Sequence, residues 1–236
     1  MLKKLVAVLV FVTAPMACAN EAEIKKALEA KFPQAKVEKI TKTPYSGLYE
    51  VFMDKQLFYT DEKANYIFLG DIIDAKTNQN ITNQRLSKLN AIPFESLPLD
   101  LAIKTVRGNG KRKVAVFSDP DCPFCKRLEK ELASVTDVTI YTFLFPIASL
   151  HPAATDKSKA IWCSADRVKA WDDLMLRGIA PTAAPTCENP VDELVALGEK
   201  HRINGTPTLV FPDGTVVPGA IPLAQLEKML GAPKPN

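Results

Sequence analysis

Apolar and polar positions follow three successive rhythms in the first part of the chain. Residues 5–12, LVAVLVFV, form an unbroken apolar run. Ile24, Ala27, Leu28 and Ala30 then recur at near-helical spacing within 21–32, and Pro33 ends the pattern. That spacing predicts a short amphipathic helix. From Val37 to Thr77 the texture changes to VEKITKT, GLYEVFM, QLFYT and YIFLGDIIDA, rich in β-branched and aromatic residues. Turn signals at 44–47, 54–55 and 61–65 separate these runs, which predicts an antiparallel meander. Thr82 is a candidate N-cap for NQRLSKLNAI, whose Leu86, Leu89 and Ile92 share one stripe before Pro93. This segment is read as a linker helix.

A second pattern opens near Leu99. Apolar strands are expected at 101–106 and 113–117, and Cys122-Pro-Phe-Cys125 follows the second of them directly. Leu128 and Leu132 place a helix behind the cysteine pair. Val138 to Phe145 is almost continuously apolar, as for a strand buried on both faces. Residues 153–177 have helical texture and contain Cys163, and a Pro/Ala/Thr-rich loop holds Cys187. A helix follows Pro190 with Leu194, Leu197 and Gly198 inward. GTPTLVF, a PDG turn, TVVPG and a helix over 222–230 complete the chain. The expectation is an α+β N-terminal domain (helix plus meander), joined by a linker helix to an α/β domain with a helical insertion. There are no internal repeats.

The chain start modifies this plan. Lys3 and Lys4, the short apolar run and Ala17-Cys18-Ala19 make a secretory signal over 1–19, cleaved after Ala19. The run is too short to span a bilayer. Lipidation of Cys18 is disfavoured by Pro15, which stands where a bulky aliphatic residue is expected. The domain plan is therefore 20–80, a linker over 81–98, and 99–236. Removing the signal takes two lysines, leaving 28 Lys+Arg against 27 Asp+Glu and a net charge of about +1. That balance gives no reason to expect nucleic acid. The GNGKRK run at 108–113 is read as a solvated turn. Four cysteines remain, and an even count in an exported chain reads as disulfides. A domain of about 60 residues at 20–80 buries too little to be secure alone and needs a partner surface.

The pair Cys122–Cys125 could clip a metal, staple the chain or exchange electrons. Zinc requires a second close-spaced ligand pair. Here Cys163 and Cys187 are 24 positions apart, and His151 and His201 are distant. No metal and no cofactor is expected. A static bond within so short a loop would constrain almost nothing. Thiol exchange fits best, because Cys122 falls where a strand turns into a helix. Orphan N–H groups and the positive end of the helix dipole stabilise a thiolate there. Pro123 suits the first helical turn. Lys126 and Arg127 assist the thiolate, and Asp119 and Asp121 oppose it unless their carboxylates turn to water. Cys122 is then the exposed attacking sulfur and Cys125 the resolving one. His151, Trp162 and Trp171 are read as loop and packing residues.

Thr206-Pro207 stands after a helix and before the 208–211 strand, where thioredoxin-like folds carry a cis-proline beside the active site. With FSDPDCPFCKRL, KAIWC at 159–163 and NGTPTLVFPDGTVVPG at 204–219, the sequence resembles the bacterial DsbC-type protein disulfide isomerases over nearly its whole mature length. The resemblance implies a periplasmic homodimer joined through the N-terminal domains, with thioredoxin-like domains facing a cleft. It implies an active dithiol at Cys122 and Cys125 and a structural disulfide at Cys163 and Cys187. Thr206 and Pro207 would be the cis-proline pair, contacting substrate together with Pro123 and Phe124. Partners would be misfolded, disulfide-containing exported proteins and an electron-donating membrane thiol reductase of DsbD type. The Pro-Phe dipeptide departs from the Gly-Tyr of the best-known members. A dithiol oxidase or dedicated reductase, and a non-catalytic chaperone, are the alternative readings.

Overall fold

The computed structural model describes residues 17–231, and the side chains from Asn20. Most of the signal peptide assigned to 1–19 therefore lies outside the described residues. The chain divides into two compact units between Leu89 and Asn90.

In the first unit, α1 (Ala17–Lys31) begins four residues before the expected start. The stretch from Ala17 to Asn20 contains no proline or glycine to prevent this. Four strands, β1 (Val37–Lys42), β2 (Tyr49–Met53), β3 (Gln56–Thr60) and β4 (Ile67–Phe68), form an antiparallel meander in sequence order. Asp54 and Lys55 both have positive φ and close the two-residue β2–β3 hairpin, whose twist suits such a turn. Ile24 and Leu28, one helical turn apart, bury completely beside Val37, Val51 and Phe58. A two-residue ribbon, β5 (Ile73–Asp74) and β6 (Gln79–Asn80), precedes α2 (Ile81–Leu89).

Asn80, not Thr82, caps α2: its Oδ1 accepts the Asn83 N–H at 2.8 Å. The Thr82 hydroxyl is instead 2.6 Å from Tyr59 Oη and accepts the Ile72 N–H at 2.8 Å. Arg85 binds the Glu50 carboxylate through both Nε, at 3.0 Å, and Nη2, at 2.6 Å. These bonds fasten α2 to β2 and β3. The helix stops at Leu89, short of Ile92, which buries in the second unit.

The second unit starts with two short 3-10 turns, Phe94–Ser96 and Leu99–Leu101. Its sheet comprises β7 (Ile103–Arg107), β8 (Arg112–Ser118), β9 (Val138–Leu144), β10 (Thr208–Val210) and β11 (Val216–Pro218), in the order β11-β10-β8-β9-β7. Only β8 and β9 run parallel. The helices are α3 (Pro123–Leu132), α4 (Ala154–Cys163), α5 (Arg167–Arg177), α6 (Val191–Lys200) and α7 (Leu223–Leu230). Alternation along β8 sends Val114 and Val116 to a core with Leu128, Leu132 and Leu226, while Ala115 and Phe117 join Phe143, Trp171 and Leu194. Every residue of β9 is buried, because helices cover both faces.

The helical texture at 153–177 resolves into two helices because Asp166 begins a new one, accepting the Lys169 N–H at 2.9 Å. Gly198 of α6 lies against Phe145; a Cβ there would fall 2.3 Å from the ring, so only glycine permits this approach. The GNGKRK run is not simply a solvated turn. Arg112 is buried, and its guanidinium binds the Glu227 carboxylate, the Thr136 carbonyl and, at 3.1 Å, the Gly231 carbonyl. It fastens α7 and its C-terminal end to the sheet.

Candidate active site

The site is assembled where β8 meets α3. After Ser118 the chain turns through Asp119-Pro120-Asp121, and the Cys122 N–H donates to the Asp119 carbonyl at 3.2 Å. Cys122 is the N-cap, in extended conformation, and Pro123 occupies the first helical position. Pro at this position sacrifices no helical hydrogen bond. Cys122 and Cys125 are both free thiols. The expected exposure of Cys122 is not found: the residue is only 4% exposed, against 0% for Cys125. The small opening at Cys122 still distinguishes the two, since Cys125 lies one turn inside the core.

The second segment of the site comes from 84 positions downstream. The Cys122 thiol donates to the Thr206 carbonyl at 3.3 Å. The Thr206–Pro207 bond is cis, and β10, which follows, pairs with β8 so that Thr208 faces Phe117. The Gly219 N–H donates to the Pro207 carbonyl at 2.7 Å. The sheet thus brings together Cys122, Cys125, Thr206 and Pro207. Pro123 and Phe124 are exposed beside them, Phe124 by 54%.

The two sulfurs differ electrostatically. Burial pushes the Cys125 thiol up to about 12, and the negative charge of a neighbouring Cys122 thiolate adds to this. The Asp119 N–H, 3.5 Å from Cys125 Sγ, opposes the shift, as does the adjacent Ser118 hydroxyl, which lies outside ordinary hydrogen-bond geometry. Cys125 therefore stays protonated at neutral pH. Cys122 stands at the α3 N-terminus with its sulfur against the Thr206 carbonyl.

Asp119 does not turn to water. Its carboxylate is fully buried and accepts the Asp121 N–H at 2.8 Å and the Ile147 N–H at 2.7 Å. His151 Nδ1 lies 3.0 Å from the same carboxylate, so His151 is a partner in the site's framework rather than a plain loop residue. The Asp121 carboxylate is 2.5 Å from Lys157 Nζ. Both acids are thus tied to donors. No spacing in the sequence announces these pairings; Asp119 and His151 are 32 positions apart.

Cys163 and Cys187 form a disulfide that joins the end of α4 to the loop before α6. Trp171 and Trp162 pack in the core, as their helical setting predicts, at 1% and 7% exposure. The Arg167 guanidinium stacks 3.7 Å from the Trp162 ring.

Two domain families match the chain. A thioredoxin-like domain covers residues 99–233, and a disulfide bond isomerase protein N-terminal domain covers 15–83. A probable thiol:disulfide interchange protein DsbC from Bordetella avium is 46% identical over 207 residues, 88% of this chain and 73% of that protein. The thiol:disulfide interchange protein DsbC of Escherichia coli is 29% identical, with 81% of this chain and 80% of that protein covered. A crystal structure of a disulfide interchange protein from Neisseria gonorrhoeae is 57% identical with a TM-score of 0.55, covering 57% of this chain and 96% of that one.

Proposed function

The chain belongs to the DsbC family of thiol:disulfide interchange proteins, and on that footing we propose that it isomerises and reduces wrong disulfides through Cys122 and Cys125. The Cys122 thiolate attacks one sulfur of a client disulfide. A Cys122–client bond forms, the client S–S bond breaks, and the other client sulfur leaves as a thiolate that takes up a proton. A second client thiolate can then displace Cys122. That exit rearranges the client with no net change of oxidation state. Alternatively, Cys125 loses its proton and attacks Cys122 Sγ. The client leaves as a reduced dithiol, and Cys122–Cys125 becomes a disulfide that an external dithiol must reduce.

The observation that carries this reading is the asymmetry of the pair. The Cys122 sulfur sits at a helix N-terminus against the Thr206 carbonyl, while Cys125 is sealed behind it. Thr206 and Pro207 present backbone beside the attacking sulfur, where an extended client segment can pair. Pro123 and Phe124 are the exposed surface on the other side. Repair of a scrambled multi-disulfide protein, with each cysteine replaced by Ala in turn, tests the reading. The Cys122 variant should be inactive. The Cys125 variant should accumulate mixed disulfides with its client.

We further propose a periplasmic homodimer, exported by a cleaved segment at 1–19, that works on exported disulfide-containing proteins and is kept reduced by a membrane thiol reductase. The first unit supports pairing: β4 is a two-residue edge strand, and Tyr66, Phe68, Leu69 and Ile73 stand exposed around it. Among the described residues no helix is long and apolar enough to cross a membrane. N-terminal sequencing of the purified protein and fractionation of cells test cleavage and compartment.

A further inference from the structure

Arg127 has no part in the exchange steps, yet it closes a ring of contacts around the reactive sulfur. Its guanidinium carbon lies 5.3 Å from the centre of the Phe124 ring, within cation–π range. Its Nη2 donates to the Ala220 carbonyl at 3.5 Å. Ala220 adjoins Gly219, whose N–H holds the Pro207 carbonyl, and Thr206 binds Cys122. Phe124 follows Cys122 by two positions. The exposed ring is thereby pinned from one side by a cation anchored to the loop that carries the other wall of the site.

The charge in contact with this ring is positive. Arg127 and Lys130 are exposed on α3 and Lys126 is half-buried, the two lysines on another side of the helix from Phe124. Its acids are engaged elsewhere: Glu129 is buried, and Glu131 accepts the Leu223 N–H at 3.0 Å. Asp121, the nearest acid before Cys122, is bound to Lys157. A client segment lying across Phe124 therefore meets the Arg127 charge first, since Glu131, the carboxylate on the same face, lies two turns further along α3 and is held by the Leu223 N–H.

We propose that Arg127 is a specificity-determining residue: it holds Phe124 in place beside Cys122 and favours disulfides whose attacked cysteine has an acidic neighbour. The inference rests on Cys122 being the attacking sulfur. Its effect is a preference, because an exposed charge is screened by water and salt.

The test uses the pre-reduced full-length protein, whose own dithiol supplies the electrons, and two small peptide disulfides that differ only in Glu or Lys beside the cysteine. The parent should reduce the Glu peptide roughly two- to fivefold faster at low ionic strength, the range expected of one exposed charge pair. High salt should erase the difference. Arg127→Gln should at least halve the Glu-to-Lys rate ratio, whereas Arg127→Lys should keep the ratio and slow both peptides. Arg127→Met repeats the charge removal if the Gln variant does not unfold cooperatively. A merely structural role for Arg127 would change both rates equally in every variant. An unselective parent, or a ratio untouched by charge removal, overturns the inference. Cys122→Ala separates the two readings: if it still cleaves either peptide, releasing one peptide thiol as Cys125 forms a mixed disulfide, the attacking sulfur has been misassigned, irrespective of Arg127.

Discussion

The Cys122 thiol donates to the carbonyl of Thr206 across 3.3 Å, whereas Cys125 receives the Asp119 N–H, at 3.5 Å, inside the core. The two sulfurs of one four-residue motif thus differ in access and in hydrogen-bond partner. Burial holds the Cys125 thiol far above the ordinary cysteine range, so it stays protonated at pH 7. A soluble alkylating agent should therefore label Cys122 first at neutral pH, with Cys125 unlabelled in the folded protein. Peptide mapping by mass spectrometry reads this directly, and faster modification of Cys125 would reverse the assigned roles.

Glu129 is buried on α3 with Oε1 unpaired. Burial lifts its carboxyl from 4.5 to about 7. The nearby Trp171 indole N–H, which lies outside ordinary hydrogen-bond geometry, and the Arg107 charge oppose that lift, and Asp172 adds to it. Because the folded value exceeds the unfolded one, folding favours the protonated form. That contribution is complete below about pH 4.5 and is lost as the pH rises through 7. The full difference is of order 3 kcal/mol. Glu129→Gln should match the parent in acid and exceed its stability near neutrality and above, flattening the pH profile. Denaturant midpoints across this range decide it; parallel profiles would refute the assignment.

The Cys163–Cys187 disulfide closes a sequence separation of 24 residues between α4 and the loop before α6. In the chain-entropy account, a loop of this length is worth roughly 3.5 kcal/mol. Replacing both cysteines by Ala should lower stability by about that amount while leaving reduction of a small peptide disulfide intact. Calorimetry and a peptide assay on the double variant check both halves.

Arg112 is 4% exposed and serves the Thr136 and Gly231 carbonyls as well as Glu227. Arg112→Met should cost about 2–3 kcal/mol, because buried carbonyls lose their donor. Glu227→Gln should cost under about 1 kcal/mol, since that carboxylate is partly solvated. Equal losses in the two variants would show that the ion pair, not carbonyl satisfaction, is what Arg112 contributes.

Tyr66 and Leu69 are 68% and 83% exposed beside the β4 edge. If they cover one another in a dimer, placing a carboxylate there removes apolar burial and introduces like-charge repulsion across a two-fold axis. Leu69→Asp, alone or with Tyr66→Asp, should sediment as a monomer. It should still reduce small disulfides but repair scrambled proteins poorly. A dimeric double variant would place the interface elsewhere.

Much of this architecture was legible in the sequence because it is local. The alternation of β8, the unbroken apolar β9, and Pro123 one residue into α3 follow from the periods of strand and helix, which the chain states residue by residue. The cysteine pair and its place at a strand-to-helix junction were equally visible, as was Thr206-Pro207 ahead of β10. The tertiary structure decided what lies between distant segments. It closed Cys122 to 4% exposure, turned Asp119 inward onto Ile147 and His151, and drew Arg112 from an apparently solvated turn into contact with Glu227. It also set Arg127 over Phe124 and against Ala220, 93 positions away. The reason is physical. Backbone periodicity is written into neighbouring residues, but a buried polar group must find its partner wherever the packed core brings one, and sequence spacing does not encode that distance.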